Sequence, residues 1–200
     1  MRITTIRHGE TDWNVAKKLQ GSVDIPLNKA GLNQAERLAE RLSSEPCDII
    51  YTSDLMRAKK TAEIINSRHN VELVTTPNLR EAGFGEFEGQ CIADEKVRKA
   101  FGAYMDVHVH AYFAKVHAYL GEILRNDYKN IFLVGHFGTV RAILCLLLKI
   151  PAEKRGVYTI GNTAIHTFER DENGEFHMSL ENDTAHLIDY DRTFEEKFQK

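Results

Sequence analysis

Two hundred residues with 42% hydrophobic and 28% charged side chains suit a globular domain with a sizeable core. The formal net charge of −3 argues against broad nucleic-acid binding, which needs a basic field, so an anion site has to be a local basic cluster. There is no uncharged run for a membrane span and no room for a signal peptide before the first strand; Cys47, Cys91 and Cys145 suit reduced thiols in the cytoplasm.

A buried strand is predicted over residues 2–6, then a polar loop from Gly9 to Lys29. Leu32, Ala35, Leu38, Ala39 and Leu42 recur at helical spacing over residues 30–43. Asp48 to Tyr51 reads as a second strand. Ser53 is expected to cap a helix from Asp54 to Arg68, with Leu55, Ala58, Ala62 and Ile65 on its apolar face. A third strand is predicted from Val71 to Val74, and a glycine-rich loop from Gly83 to Gly89. Residues 91–128 show no strand pattern. Val109, Tyr112, Phe113, Val116, Leu120, Ile123 and Leu124 instead predict a helical insert of one or two helices. Its apolar positions suit either a homodimer contact or a cover for the sheet. Ile131 to Val134 is the next strand, and a helix from Gly138 to Lys149 stops before Pro151. Thr163–Glu169 and Glu175–Leu180 flank an Asn173-Gly174 turn and predict a hairpin. The last ten residues are polar and read as a helix or a loose tail. This alternation implies an α/β fold, mostly parallel, with helices on both faces, in a single domain over residues 1–200.

Two histidines follow two of these strands: Arg7-His8-Gly9-Glu10-Thr11 after the first, and Gly135-His136-Phe137-Gly138-Thr139 after the fourth. Ligands of α/β sheets bind at the carboxyl ends of strands. An arginine holds phosphate oxygens by paired, charge-assisted hydrogen bonds. A neutral imidazole, oriented through its other nitrogen and kept neutral by a nearby arginine, is a nucleophile toward phosphorus. Arg57 falls in the first turn of its helix, where a cation opposes the dipole and a bound anion relieves the conflict. A protonated His136 is expected to stabilise charge on a phosphoryl oxygen. Glu81 is the candidate proton donor to a leaving alkoxide, with Glu86 and Glu88 as rivals in the same loop. No metal site is expected: His108 and His110 diverge on a helix, and His110 and His117 share a face without a carboxylate partner.

Arg7-His8-Gly9-Glu10-Thr11 with Trp13-Asn14, Gln20-Gly21, Asp24-Ile25-Pro26-Leu27, Ser53 to Ala58, Leu79-Arg80-Glu81, Gly135-His136 and Asn162-Thr163 together resemble the histidine phosphatase superfamily, also called the phosphoglycerate mutase-like family. The resemblance implies a three-layer α/β/α sandwich. It implies His8 as the nucleophile that becomes phosphohistidine, and Arg7, Arg57 and His136 as the phosphate pocket. Glu81 becomes the proton donor, and Asn14, Gln20, Gly21, Asn162 and Thr163 become substrate contacts or borders. No metal or organic cofactor is implied. Phe137 departs from the small residue usual after the second histidine, and either narrows the pocket or lines it for an apolar substrate. The insert is short for the family, which favours a phosphatase over a phosphoglycerate mutase-type phosphotransferase. The N-terminal pattern is similar to the α-ribazole phosphatase group. Expected substrates are small phosphorylated metabolites: α-ribazole phosphate, phosphoserine, phosphoglycerate or sugar phosphates. A non-catalytic phosphate-binding module is the alternative of a different class.

Overall fold

A computed structural model describes residues 1–188, so the predicted polar tail lies outside the described residues. In chain order the elements are β1 (Arg2–Arg7), α1 (Asp12–Val15), α2 (Lys29–Leu42), β2 (Ile49–Ser53), α3 (Met56–His69) and β3 (Glu72–Thr76). Then follow α4 (Glu95–Ile123), β4 (Asn130–Gly135), α5 (Phe137–Leu147), β5 (Ile165–Arg170) and β6 (Phe176–Asp183). The six strands form one sheet in the order β3-β2-β4-β1-β5-β6. The first four in that order run parallel, and the β5–β6 hairpin adds antiparallel to β1. This is the mostly parallel α/β sheet that the alternating pattern predicts.

Strand alternation divides the core into two faces. Ile3, Ile49, Tyr51, Ile131 and Leu133 pack toward α4 and α5. Ile6, Ile50, Phe132 and Val134 pack toward α2 and α3 through Leu38, Leu42, Ala62 and Ile65. Each fully buried aliphatic or Phe side chain of this kind stabilises by roughly 1.5–3 kcal/mol relative to exposure. The insert is a single 29-residue helix, capped by Asp94, whose carboxylate accepts from the Lys96 and Val97 amides. Val109, Phe113, Val116, Leu120 and Ile123 bury one stripe of it against the sheet and α5. Those positions therefore cover the core.

Three local expectations are corrected. The loop after β1 contains the short helix α1, because Thr11 and Asn14 close a reciprocal capping box. Ser53 ends β2 and does not cap α3; its hydroxyl accepts from the Leu55 amide, and the helix starts two residues later than predicted, at Met56. Leu32 lies outside the buried stripe of α2, which is formed by Gly31, Gln34, Ala35, Leu38, Ala39 and Leu42. Among the described residues no helix is long and apolar enough to cross a membrane.

Candidate active site

β1 and β4 lie side by side in the middle of the sheet, with Arg7 opposite Gly135. The strand order reverses around them, so their carboxyl ends form the crevice where α/β sheets take ligands. The His8 amide donates to the Gly135 carbonyl oxygen at 2.9 Å. The two histidine rings stand 5.3 Å apart between centroids.

The His8 ring is buried. Its Nδ1 lies 2.7 Å from the Gly9 carbonyl oxygen. A carbonyl oxygen only accepts, so Nδ1 carries the proton and Nε2 keeps its lone pair. Burial, then Arg7 and Arg57, pushes His8 well below the ordinary histidine value. The ring is therefore a neutral, oriented base, as its place beside Arg7 predicts. The Gly9 amide donates to the Thr61 hydroxyl at 3.1 Å, which fixes the following peptide.

Arg57 is among the largest fully buried side chains. Its Nη2 donates to the Gly21 carbonyl oxygen at 2.8 Å and its Nη1 to that of Val23 at 2.7 Å. Its Nε donates to His136 Nδ1 at 3.2 Å. Gly21 has a φ of 53°, a backbone conformation that favours glycine, and a Cβ there would fall 2.3 Å from Glu88 Oε1. The guanidinium is thus held by backbone carbonyls of the Gln20–Asp24 loop.

His136 requires a correction. A guanidinium Nε only donates, so His136 Nδ1 accepts and bears no proton. Burial, then Arg57, holds the ring well below its ordinary value. The side chain is neutral in this state, with its proton on Nε2. That nitrogen is buried without a hydrogen-bond partner among the described residues. His136 occupies the N-cap position of α5 but makes no side-chain cap.

Arg7 sends Nη1 to the Ile160 carbonyl oxygen at 2.7 Å and leaves Nε buried without a partner. Burial brings it down to about 10. Glu81 receives the Gly138 amide at 3.0 Å on Oε2 and the Ala82 amide at 3.0 Å on Oε1. A Cβ at Gly138 would fall 2.2 Å from Oε1, so glycine is what lets the carboxylate dock on the first turn of α5. Glu88 is engaged elsewhere, accepting from the amides of Ser22 and Phe84, and Glu86 is exposed.

A cleft of about 350 Å³ opens over Arg7, His8, Arg57 and Glu81. Asn14, Gln20, Gly21 and Phe137 also line it. Asn14 Oδ1 accepts from the Thr11 amide and from Asn162 Nδ2. Asn162 and Thr163 stand behind the nucleophile rather than in the cleft wall. Asn162 Nδ2 donates to the His8 carbonyl oxygen at 3.0 Å, and the Thr163 amide donates to that of Arg7 at 3.1 Å. Thr163 holds a φ of 54°, unusual for a β-branched residue, and is fully buried. Such backbone strain typically costs about 1–3 kcal/mol and persists only where its surroundings impose it.

Sequence reasoning passed over Tyr112. It counted as an apolar position of the α4 stripe, but its hydroxyl donates to the Arg80 carbonyl oxygen at 3.0 Å and lies 3.0 Å from the Thr139 hydroxyl. Arg80 also forms a two-bond pair with Asp54, at 2.6 Å for each contact. These two contacts fix the segment that carries Glu81 to α4 and to the turn before α3. The phenolic oxygen itself was the available signal, because buried tyrosines seek partners. His110 faces a carboxylate from outside α4, Glu153 at 3.3 Å, and His117 Nε2 lies 2.8 Å from the Ala142 carbonyl oxygen.

Two paired histidines and two arginines at the switch point of a mostly parallel sheet define a class of phosphoryl-handling α/β proteins. Residues 3–184 match the family described as the histidine phosphatase superfamily (branch 1). The chain belongs to this superfamily and is a phosphatase of it. Phosphoglycerate mutase-like protein 4 of Arabidopsis thaliana is 33% identical over 92% of this chain and 86% of its own length. A mutant phosphoserine phosphatase from Entamoeba histolytica, in complex with phosphoserine, superposes with a TM-score of 0.82 at 27% identity, covering 94% of this chain and 99% of that one. The α-ribazole phosphatase of Shigella flexneri shares the fold, with a TM-score of 0.80 at 23% identity over 92% of this chain and 96% of that one.

Proposed function

We propose that the protein hydrolyses a phosphate monoester of a small metabolite through a phosphohistidine at His8, without a metal ion. The observation that carries this reading is the tautomer of His8: Nδ1–H is tied to Gly9, and Nε2 is left as a neutral lone pair beside two arginines. In the first step Nε2 attacks phosphorus and the P–O ester bond breaks while Glu81, in its protonated form, gives its proton to the departing alkoxide. In the second step water attacks the phosphohistidine, its proton passes to Glu81, the P–N bond breaks and inorganic phosphate leaves. Arg7 Nε and His136 Nε2, both donors without partners, would bind the phosphoryl oxygens. Arg57 adds fixed positive charge beneath them. Positioning and electrostatics supply most of the catalysis in such transfers. Asn14, Gln20, Gly21 and Phe137 border the substrate, while Asn162 and Thr163 brace the nucleophile's backbone. The phosphoserine in the Entamoeba histolytica complex supports a small phosphorylated metabolite as substrate.

The test is phosphate release from a panel of monoesters, with EDTA present, for wild type and His8→Asn. Turnover in EDTA that the substitution abolishes is expected. Turnover that survives in the variant, or that EDTA removes, overturns the mechanism.

A further inference from the structure

The phosphate cleft continues past Phe137. A second, apolar chamber of about 280 Å³ adjoins it, and Glu81, Phe84, Ile92, Phe101 and Phe137 wall both. Met105, Val109 and Phe113 of α4 give it an apolar surface. Three arginines, Arg98, Arg141 and Arg155, share its lining.

The charge there is unbalanced. Glu81 is the acidic residue of the lining, and it is bound to backbone amides. Arg155 pairs with Asp106 at 2.6 Å, and Asp106 is 71% exposed. Arg141 forms no ion pair among the described residues. Its guanidinium lies 4.1 Å above the Phe137 ring, its Nη2 reaches the Tyr158 carbonyl at only 3.4 Å, and its Nε is buried without a partner. Burial and the neighbouring Arg155 push Arg141 below its ordinary value. An uncompensated cation beside apolar surface is costly, and an anionic ligand with good geometry offsets that cost.

From this juxtaposition we propose that the chamber is the subsite for the alcohol half of the substrate, and that it takes an apolar body ending in a second anionic group. Phe137 is the shared wall. Its ring would meet the leaving group, and Arg141 lies 4.1 Å and Arg7 5.4 Å from its centroid. The proposal rests on the phosphomonoesterase reading above and adds to it a substrate class: an ester with two anionic ends separated by an apolar body.

A matched pair of aryl phosphates tests this, one with a carboxyethyl chain para to the phosphate and one with the corresponding carboxamide. Phosphoserine serves as the anionic ester without an apolar body. Wild type is expected to favour the carboxylate over the carboxamide at least tenfold in kcat/KM, mainly through KM, and to favour it over phosphoserine. Arg141→Met and Arg155→Met are each expected to lower the carboxylate-to-carboxamide ratio, and the double variant to bring it near one. A wild-type ratio near one, a ratio unchanged in both variants, or phosphoserine equal to the aryl carboxylate overturns the proposal. The non-hydrolysable phosphonates of the same pair are titrated by calorimetry in parallel. Absence of phosphate release from every ester refutes the phosphatase mechanism alone. The phosphonate Kd ratio then still reads the chamber, and equal Kd values refute it.

Discussion

Gly138→Ala separates the two halves of the proposed reaction. An added Cβ would stand 2.2 Å from Glu81 Oε1 and 3.2 Å from Tyr112 Cε1, so the carboxylate cannot simply slide toward the tyrosine. It must retreat by about 1 Å, and a misplacement of that size costs roughly a hundredfold in rate, or about 2.7 kcal/mol. Alanine is otherwise better than glycine inside a helix by about 0.5–1 kcal/mol, so urea denaturation is expected to show little net change. For an alkyl phosphate, whose leaving group needs a proton, kcat falls about a hundredfold and no phosphohistidine accumulates. For 4-nitrophenyl phosphate the leaving group needs none, and the fault moves to the second step. Stopped flow then shows a burst of nitrophenolate, and acid-labile, alkali-stable phosphoenzyme builds up. Equal loss with both esters and no burst, or full activity with both, would refute the assignment of the proton to Glu81.

Arg57→Lys keeps the charge but loses the fork that reaches Gly21, Val23 and His136 together. Hydrogen bonds to charged groups are worth about 1.5–3 kcal/mol each, so thermal unfolding should drop by several degrees and KM for the phosphate ester should rise; an unchanged Tm would contradict the structural role. Burial holds His8 and His136 well below their ordinary value and His166 at about 4. The unfolded chain therefore takes up protons that the fold does not, and stability present above about pH 6.5 is lost as pH falls from 6.5 toward 4, by up to about 1.4 kcal/mol per unit for each group. Urea midpoints between pH 7 and pH 4.5 measure this; His166→Gln should flatten the slope, and an unaltered slope counts against it. Phe113→Ala removes a ring that α4 packs into the core and should cost about 3–5 kcal/mol by chemical denaturation; a loss below about 1 kcal/mol would mean α4 does not cover the core.

The sheet and its chemistry were legible in the sequence for different reasons. Strands buried on both faces read as short apolar runs, and Ile131 to Val134 falls wholly inside β4. His8, Glu81 and His136 stand out as polar residues at strand ends and loop turns, and Arg57 as a cation in the first turn of a helix, because none has a packing explanation. Helix boundaries were less legible. Ser53 has the chemistry of a cap, but the register of β2 against β3 extends to Ser53 and carries it into the strand. The protonation of His136 was not legible at all, since it depends on Arg57 Nε arriving from an element 79 residues away. Tyr112 was hidden by periodicity, which records that a side chain faces inward and not what its polar tip meets. Asn162 and Thr163 were placed near the pocket, whereas their backbone contacts put them behind it.

The pairing of β1 with β4 and β5 has a consequence for synthesis of the chain. β1 leaves the ribosome long before the partners on both its sides, which come from residues 130–135 and 165–169. Until those arrive, a strand with both edges open and Ile3 and Ile6 uncovered is a template for mispairing. Such long-range closure also slows folding. The nucleophile is therefore made well before the residues that enclose it, and its environment is completed only when Thr163 binds the Arg7 carbonyl. Chains stalled on the ribosome before β5 emerges should hold His8 in an ordinary, solvated state, without phosphoryl-transfer activity.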